Sequence, residues 1–250
     1  MSNSSFPSLA ETLPQDASNA LLIGRIWVPG EGPYLVKVDA QHITDLSALA
    51  LTSSDLMELD NVAQRVGQHT GRTWPTAAVW HNTNPSHQDP SQAWFLAPTD
   101  LQAIKAAGVT FVASMLERVI EEQARGDAAK AESVRKAVIS VIGDNLRNVK
   151  PGSEQAMQLK EVLVAQGVWS QYLEVGIGPD AEIFTKSQAM SAVGSGFEVG
   201  LHPGSSWNNP EPEIVLVINS KGHVVGAAMG NDVNLRDFEG RSALLLGKAK

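Results

Sequence analysis

The chain has 250 residues, no cysteine, 43% apolar and 18% charged residues, and a formal net charge of −8. That length supplies one large domain or two small ones with ample core, and the composition is ordinary for a globular protein. The acidic balance argues against nucleic acid or an anionic membrane as partner, and the absence of cysteine excludes disulfides, thiolate nucleophiles and Cys-ligated zinc.

Residues 1–19 are polar, carry Pro7 and Pro14, and read as a loose arm. They lack the basic-then-apolar layout of a signal peptide. No apolar run has the length of a membrane span, so a cytoplasmic location is expected. Residues 20–28 and 34–38 predict two strands joined by Pro29-Gly30-Glu31-Gly32. A helix is expected after Thr52, with Ser53 or Ser54 as its cap. The stretch 67–91, rich in His, Asn, Thr and Pro, reads as a loop excursion. None of His42, His69, His81, His87, His202 and His223 forms an H-x-x-x-H pair, so each reads as a surface or loop residue.

A short strand is predicted at 94–98 and a helix at 100–107, ending at Gly108. Apolar spacing predicts further helices at about 111–120, 128–142 and 154–166, with stripes that serve as packing faces. After Trp169 the texture changes to short β segments at 172–175, 181–185 and 197–199. This gives an arm at 1–19, an N-terminal α+β region at 20–165 and a β-rich region at 166–250. Gly194, Gly196 and Gly200 do not make a G-x-G-x-x-G and sit in no strand–helix unit, which excludes a dinucleotide fold.

The last predicted element is a hairpin. Residues 213–219 and 224–229 are apolar runs around Ser220-Lys221-Gly222. Side chains two apart in a strand share a face, so Glu211, Glu213, Val215 and Val217 point one way. If Asn219 pairs near Gly222, Glu211 lies opposite residues 230–232, which brings Asp232 beside both glutamates. Three converging carboxylates repel one another unless protonated or bound to a cation. Such hard oxygen donors suit Mg²⁺, Mn²⁺ or Ca²⁺.

E-x-E, then Asp in G-N-D-V, then R-D, then G-K resembles the fumarylacetoacetate hydrolase superfamily. GPDAEIFTK, WNNPEPE and GNDVNLRDFEGRSALLLGKAK resemble its 2-keto-3-deoxy-sugar-acid dehydratases, nearest those acting on 2-keto-3-deoxy-D-xylonate, also called 2-keto-3-deoxy-D-arabinonate. The likeness runs from about Ile23 onward, but those enzymes continue well past the G-K-A-K step, where this chain stops at Lys250. The resemblance implies an α+β fold: an α+β N-terminal region followed by a mixed β-roll catalytic domain, incomplete at its C-terminus. It implies Glu211, Glu213 and Asp232 as ligands of a divalent metal, Mg²⁺ or else Mn²⁺ or Ca²⁺. The partner implied is a small 2-keto acid, and the assembly a homo-oligomer.

The implied reaction removes the C3 proton and C4 hydroxyl of a 2-keto-3-deoxy-pentonate, giving 2,5-dioxopentanoate. Lys186, in F-T-K, matches the family's F-x-K step and could act as base or bind carboxylate; Lys248 could do either. Arg236 could fork a carboxylate, or pair with Asp237 or Glu239. Glu117 matches the Glu of the superfamily's N-Y-x-x-H-x-x-E, but Ser114 stands where the His would be. A serine is a poor base for making hydroxide, which favours elimination with Glu117 as acid/base near C4. Two alternatives stand beside this: a hydrolase cleaving a 2,4-diketo acid, or an inactive, shortened metal-binding fragment.

Overall fold

The computed structural model describes residues 6–108, 149–165, 167, 169–180 and 182–239, with isolated positions at 120, 123, 132–133 and 135–136. The helices expected at 111–120 and 128–142, and residues Ser114, Glu117 and Lys248, lie outside the described residues apart from those isolated positions. The chain divides into two units: one of 1–103, 187–200 and 214–229, the other of 104–186, 201–213 and 230–250. The make-up is mixed α and β with antiparallel sheets.

Strand alternation builds the first unit. Strands β1 (Leu22–Val28), β2 (Gly32–Val38), β3 (His42–Asp45), β4 (Thr73–Pro75) and β5 (Trp94–Leu96) form an antiparallel sheet ordered β4-β3-β2-β1-β5. Ile26, Val28, Val36 and Ile43 cluster with Val79, from helix α4 (Thr76–Thr83). Leu35 instead packs with Leu46, with Leu56 of helix α2 (Ser53–Met57) and with Val66 of helix α3 (Val62–Gln68). Residues one apart in β2 thus feed two separate clusters, the period-2 signature of a sheet buried on both sides.

Five sequence expectations change here. The arm is not loose where it is described: Ser8 and Glu11 make a capping box on α1 (Leu9–Thr12), and Trp80 Nε1 donates to the Pro7 carbonyl at 2.9 Å. The stretch 67–91 contains β4 and α4, because its polar side chains find partners inside the fold. Buried Asn82 donates to the carbonyls of Asp89, Gln92 and Ala93 and accepts from the Asp89 N–H. Helix α2 is capped by Thr52, not by Ser53 or Ser54. Residues 100–107 are not helical, since the Asp100 carboxylate is committed to the N–H groups of Ser53, Ser54 and Leu101; Ile104–Ala107 form strand β6 with alternating exposure. Residues 197–199 pair with no strand.

In the second unit, helix α5 (Glu154–Ala165) follows Pro151-Gly152-Ser153 as expected, and Gly167 takes φ +69°, a conformation open to glycine. The segment expected as a strand at 172–175 is instead helix α6 (Gln171–Ile177). Ser170 caps it by accepting from the Leu173 N–H, and Leu173 and Ile177, one helical turn apart, are both buried. A run of only four residues carries no period long enough to separate the two structures. Strand β7 (Ile183–Ser187) pairs with β6. No helix among the described residues is long and apolar enough to cross a membrane.

Candidate metal centre

The site begins with the turn of the hairpin. Strands β9 (Pro212–Ile218) and β10 (Val224–Asn231) are joined by residues 219–223, with Ser220-Lys221-Gly222 at the tip. Gly222 sits at φ +77° and donates to the Asn219 carbonyl, while the Asn219 N–H donates to His223. This is a type I turn closed by a left-handed residue, a turn that sets strand register. The Asn219 carboxamide oxygen accepts from both the Lys221 and His223 N–H groups and locks it further.

Register propagates to the open end. There the Asp232 N–H donates to the Glu211 carbonyl at 2.9 Å, and the Glu211 N–H donates to Asn231 Oδ1 at 2.9 Å. A second, short ladder braces this end: Asn208–Asn209 (β8) pair antiparallel with Asn234–Leu235 (β11). Helix α7 (Arg236–Glu239) follows directly. The Asp237 carboxylate accepts from Ser205 Oγ at 2.7 Å and from the Ser206 N–H at 2.9 Å, tying α7 to the approach to β8.

These constraints bring Glu211, Glu213 and Asp232 together, with one carboxylate oxygen of each within 4.8 Å of the others. Donors sharing one cation are at most about 5 Å apart around Ca²⁺ and about 4.2 Å apart around Mg²⁺. The spacing therefore fits a single Ca²⁺-sized ion as it stands, and Mg²⁺ once the carboxylates draw in by a few tenths of an ångström. Asp232 is buried, Glu211 half-buried and Glu213 exposed, which leaves the site approachable on the Glu213 side. It is the only group of three or more potential metal-ligating side chains among the described residues, and it contains no histidine.

Two cations flank the carboxylates. Lys186, at the end of β7, is ion-paired with Asp232. Arg236 Nη2 lies 3.1 Å from Glu211 Oε1, and its Nη1 lies 3.6 Å from Glu239 Oε2. Of the two partners considered from sequence, Arg236 takes Glu239; Asp237 is occupied by Ser205 and Ser206. Glu211, the other Arg236 partner, is invisible in the sequence, since spacing within one helix turn shows only near neighbours. The buried Glu239 carboxylate also accepts from Asn234 Nδ2 at 3.2 Å. Among the described residues of this linked group, four carboxylates face two cations.

No family model matches the chain. It is 37% identical over 79 residues to a probable 2-keto-3-deoxyxylonate dehydratase of Haloferax volcanii, covering 32% of this chain and 27% of that protein. It is 36% identical over 69 residues to a 2-dehydro-3-deoxy-D-arabinonate dehydratase of Saccharolobus solfataricus, covering 28% and 23%. Among solved structures, it resembles a 2-keto-3-deoxy-D-arabinonate dehydratase complexed with magnesium and 2,5-dioxopentanoate, with TM-score 0.53 and 16% identity over 91% of this chain and 60% of that one. The apo form of 2-keto-3-deoxy-D-arabinonate dehydratase gives TM-score 0.55 at 17% identity, with 91% and 61% coverage. At that identity the likeness is one of fold. The matches span about a quarter of the length of the curated relatives and about three fifths of the solved structures.

Proposed function

We propose that this chain is a divalent-metal-dependent hydro-lyase that converts a 2-keto-3-deoxy-pentonate to 2,5-dioxopentanoate. The observation that carries the reading is the set of three carboxylate oxygens within 4.8 Å, in a chain with the fold of a dehydratase that binds magnesium and 2,5-dioxopentanoate. Glu211, Glu213 and Asp232 are the proposed ligands, and Mg²⁺ the proposed ion, with Mn²⁺ and Ca²⁺ as hard alternatives. The complete fold in this reading is a mixed β-roll behind an α+β region, assembled as a homo-oligomer.

When bound, the ion supplies Lewis-acid polarisation of the 2-keto group, which acidifies the neighbouring C3–H bond. The chain's own groups then divide the work. Lys186 Nζ, ion-paired with Asp232, is assigned the C3 proton or the substrate carboxylate. Lys248 is assigned the other of those two tasks. Arg236 keeps Glu211 turned towards its fellow ligands through the 3.1 Å contact, and its guanidinium is the carboxylate fork of the site. Glu117 is assigned the proton delivered to the departing C4 hydroxyl, and Ser114, three residues earlier in the sequence, is a poor base for water.

Incubation of the purified chain with 2-keto-3-deoxy-D-arabinonate and Mg²⁺ tests the proposal. The expected product is 2,5-dioxopentanoate, and chelation with EDTA stops its formation. Pyruvate and a carboxylate formed from a 2,4-diketo acid would point to the hydrolase instead. A folded, metal-loaded chain that makes neither product contradicts the catalytic reading.

A further inference from the structure

Glu239 takes no part in the ligand set, yet it is among the most buried charged residues described, at 3% exposure. A buried carboxylate is retained only with partners, because desolvating an ionised group is costly. Two of its partners lead towards the ligand set. Asn234 Nδ2 donates to Glu239 Oε2 at 3.2 Å, Glu239 Oε2 faces Arg236 Nη1 at 3.6 Å, and Arg236 Nη2 meets Glu211 Oε1 at 3.1 Å. Asn234 is itself fully buried, and its register partner Asn209 lies two residues before Glu211. The relay therefore starts on that short ladder and ends two residues beyond it, at Glu211.

We infer that Glu239 is a positioning residue: it fixes and neutralises Arg236 against Glu211, and so raises the affinity of the carboxylate cluster for its divalent ion without touching it. The inference rests on the metal reading above. The reasoning is electrostatic and geometric. A guanidinium is a planar fork that can serve two carboxylates along two edges. With Glu239 on one edge, Arg236 holds Glu211 in one orientation while its charge is shared. Without Glu239 the whole of that charge falls on Glu211 and competes with the incoming cation. Groups that orient metal ligands from behind typically change affinity 10- to 100-fold when removed.

The test titrates the 250-residue chain with Mn²⁺ alone, following the EPR signal of the free ion. Glu239→Gln preserves shape and an acceptor for Asn234 while removing the charge. It is expected to weaken Mn²⁺ binding by roughly 10- to 100-fold, with the urea midpoint of the metal-free protein little changed. In an Arg236→Ala background, the same Glu239→Gln change is expected to shift affinity less than about threefold, because the relay is already cut. Glu239→Asp, which keeps the charge, should recover part of the loss. Should Glu239→Gln not fold, Asn234→Ser, which removes only the amide holding Glu239, carries the same expectation of weaker binding. Mn²⁺ affinity within twofold of wild type in the folded variant overturns the inference, as does a loss that persists undiminished without Arg236. A wild-type chain that takes up no Mn²⁺ is a different outcome, and it removes the metal reading itself.

Discussion

Asp232→Asn is expected to weaken divalent-ion binding at least about 100-fold, equivalent to about 3 kcal/mol. Of the three proposed ligands Asp232 is the most buried. Charge attraction is strongest where water is excluded, so the same lost charge matters more there than at the exposed Glu213. The expected order of loss is therefore Asp232→Asn, then Glu211→Gln, then Glu213→Gln, the last at roughly tenfold. The substitution keeps volume and hydrogen-bonding capacity, and the Asp232 N–H to Glu211 carbonyl bond involves only backbone. The hairpin register therefore survives, and a circular dichroism spectrum matching wild type is expected beside the calorimetric loss. Equal losses at Asp232 and Glu213 would mean that burial does not rank these ligands.

The second large effect lies in the first unit. Asp100→Ala is expected to destabilise that unit by about 3–5 kcal/mol. The Asp100 carboxylate accepts from the Ser53, Ser54 and Leu101 N–H groups and from Ser54 Oγ, and it lies 3.5 Å from Arg25 Nε. Both side chains of that ion pair are under one tenth exposed. Removing the carboxylate takes away the acceptor for the Ser53 and Ser54 N–H groups at the start of α2, where the Thr52 cap stays in place. It also strips a buried guanidinium of its counter-charge, although Arg25 keeps the carbonyls of Ala97 and Thr99. Four of the six tryptophans belong to this unit, so fluorescence during urea unfolding reports it well.

Asp100 also makes that stability pH-dependent. Burial pushes its carboxyl pKa up, but the hydrogen bonds from Leu101, Ser53 and Ser54 outweigh burial and hold it below the usual carboxylate value. The group is thus easier to ionise in the folded state than in the unfolded one. Its contribution is fully present above the unfolded pKa of about 3.9 and fades as pH falls through the lower folded value. Wild type should accordingly lose more stability between pH 5 and pH 3 than Asp100→Ala does. Parallel curves for the two proteins would remove Asp100 from the acid response.

The hairpin was legible in the sequence because everything that fixes it is local. Asn219 and Gly222 specify the turn, and period-2 alternation carries the register eight residues back to Glu211 and ten residues on to Asp232. Strands β1, β2 and β5 were legible for the same reason. What sequence could not show depends on which partner each polar group finds once the chain has folded. Asp100 reads as the start of a helix until Ser53 and Ser54 claim its carboxylate from more than forty residues away. The run at 172–175 fits strand or helix equally, and the Ser170 cap decides it. The polar stretch 67–91 looked like a loop because the carbonyls that satisfy Asn82 are brought to it by the fold. At the site, the sequence supplied the three carboxylates and the two nearby cations. Which cation faces which carboxylate came only with three dimensions.

The most direct trial of the metal centre is a calorimetric titration of the metal-free wild-type chain with Mg²⁺. The carboxylate geometry predicts uptake of one ion per chain, abolished over the same range by Asp232→Asn. A folded protein that absorbs no Mg²⁺, or that binds it equally well without the Asp232 charge, contradicts the account.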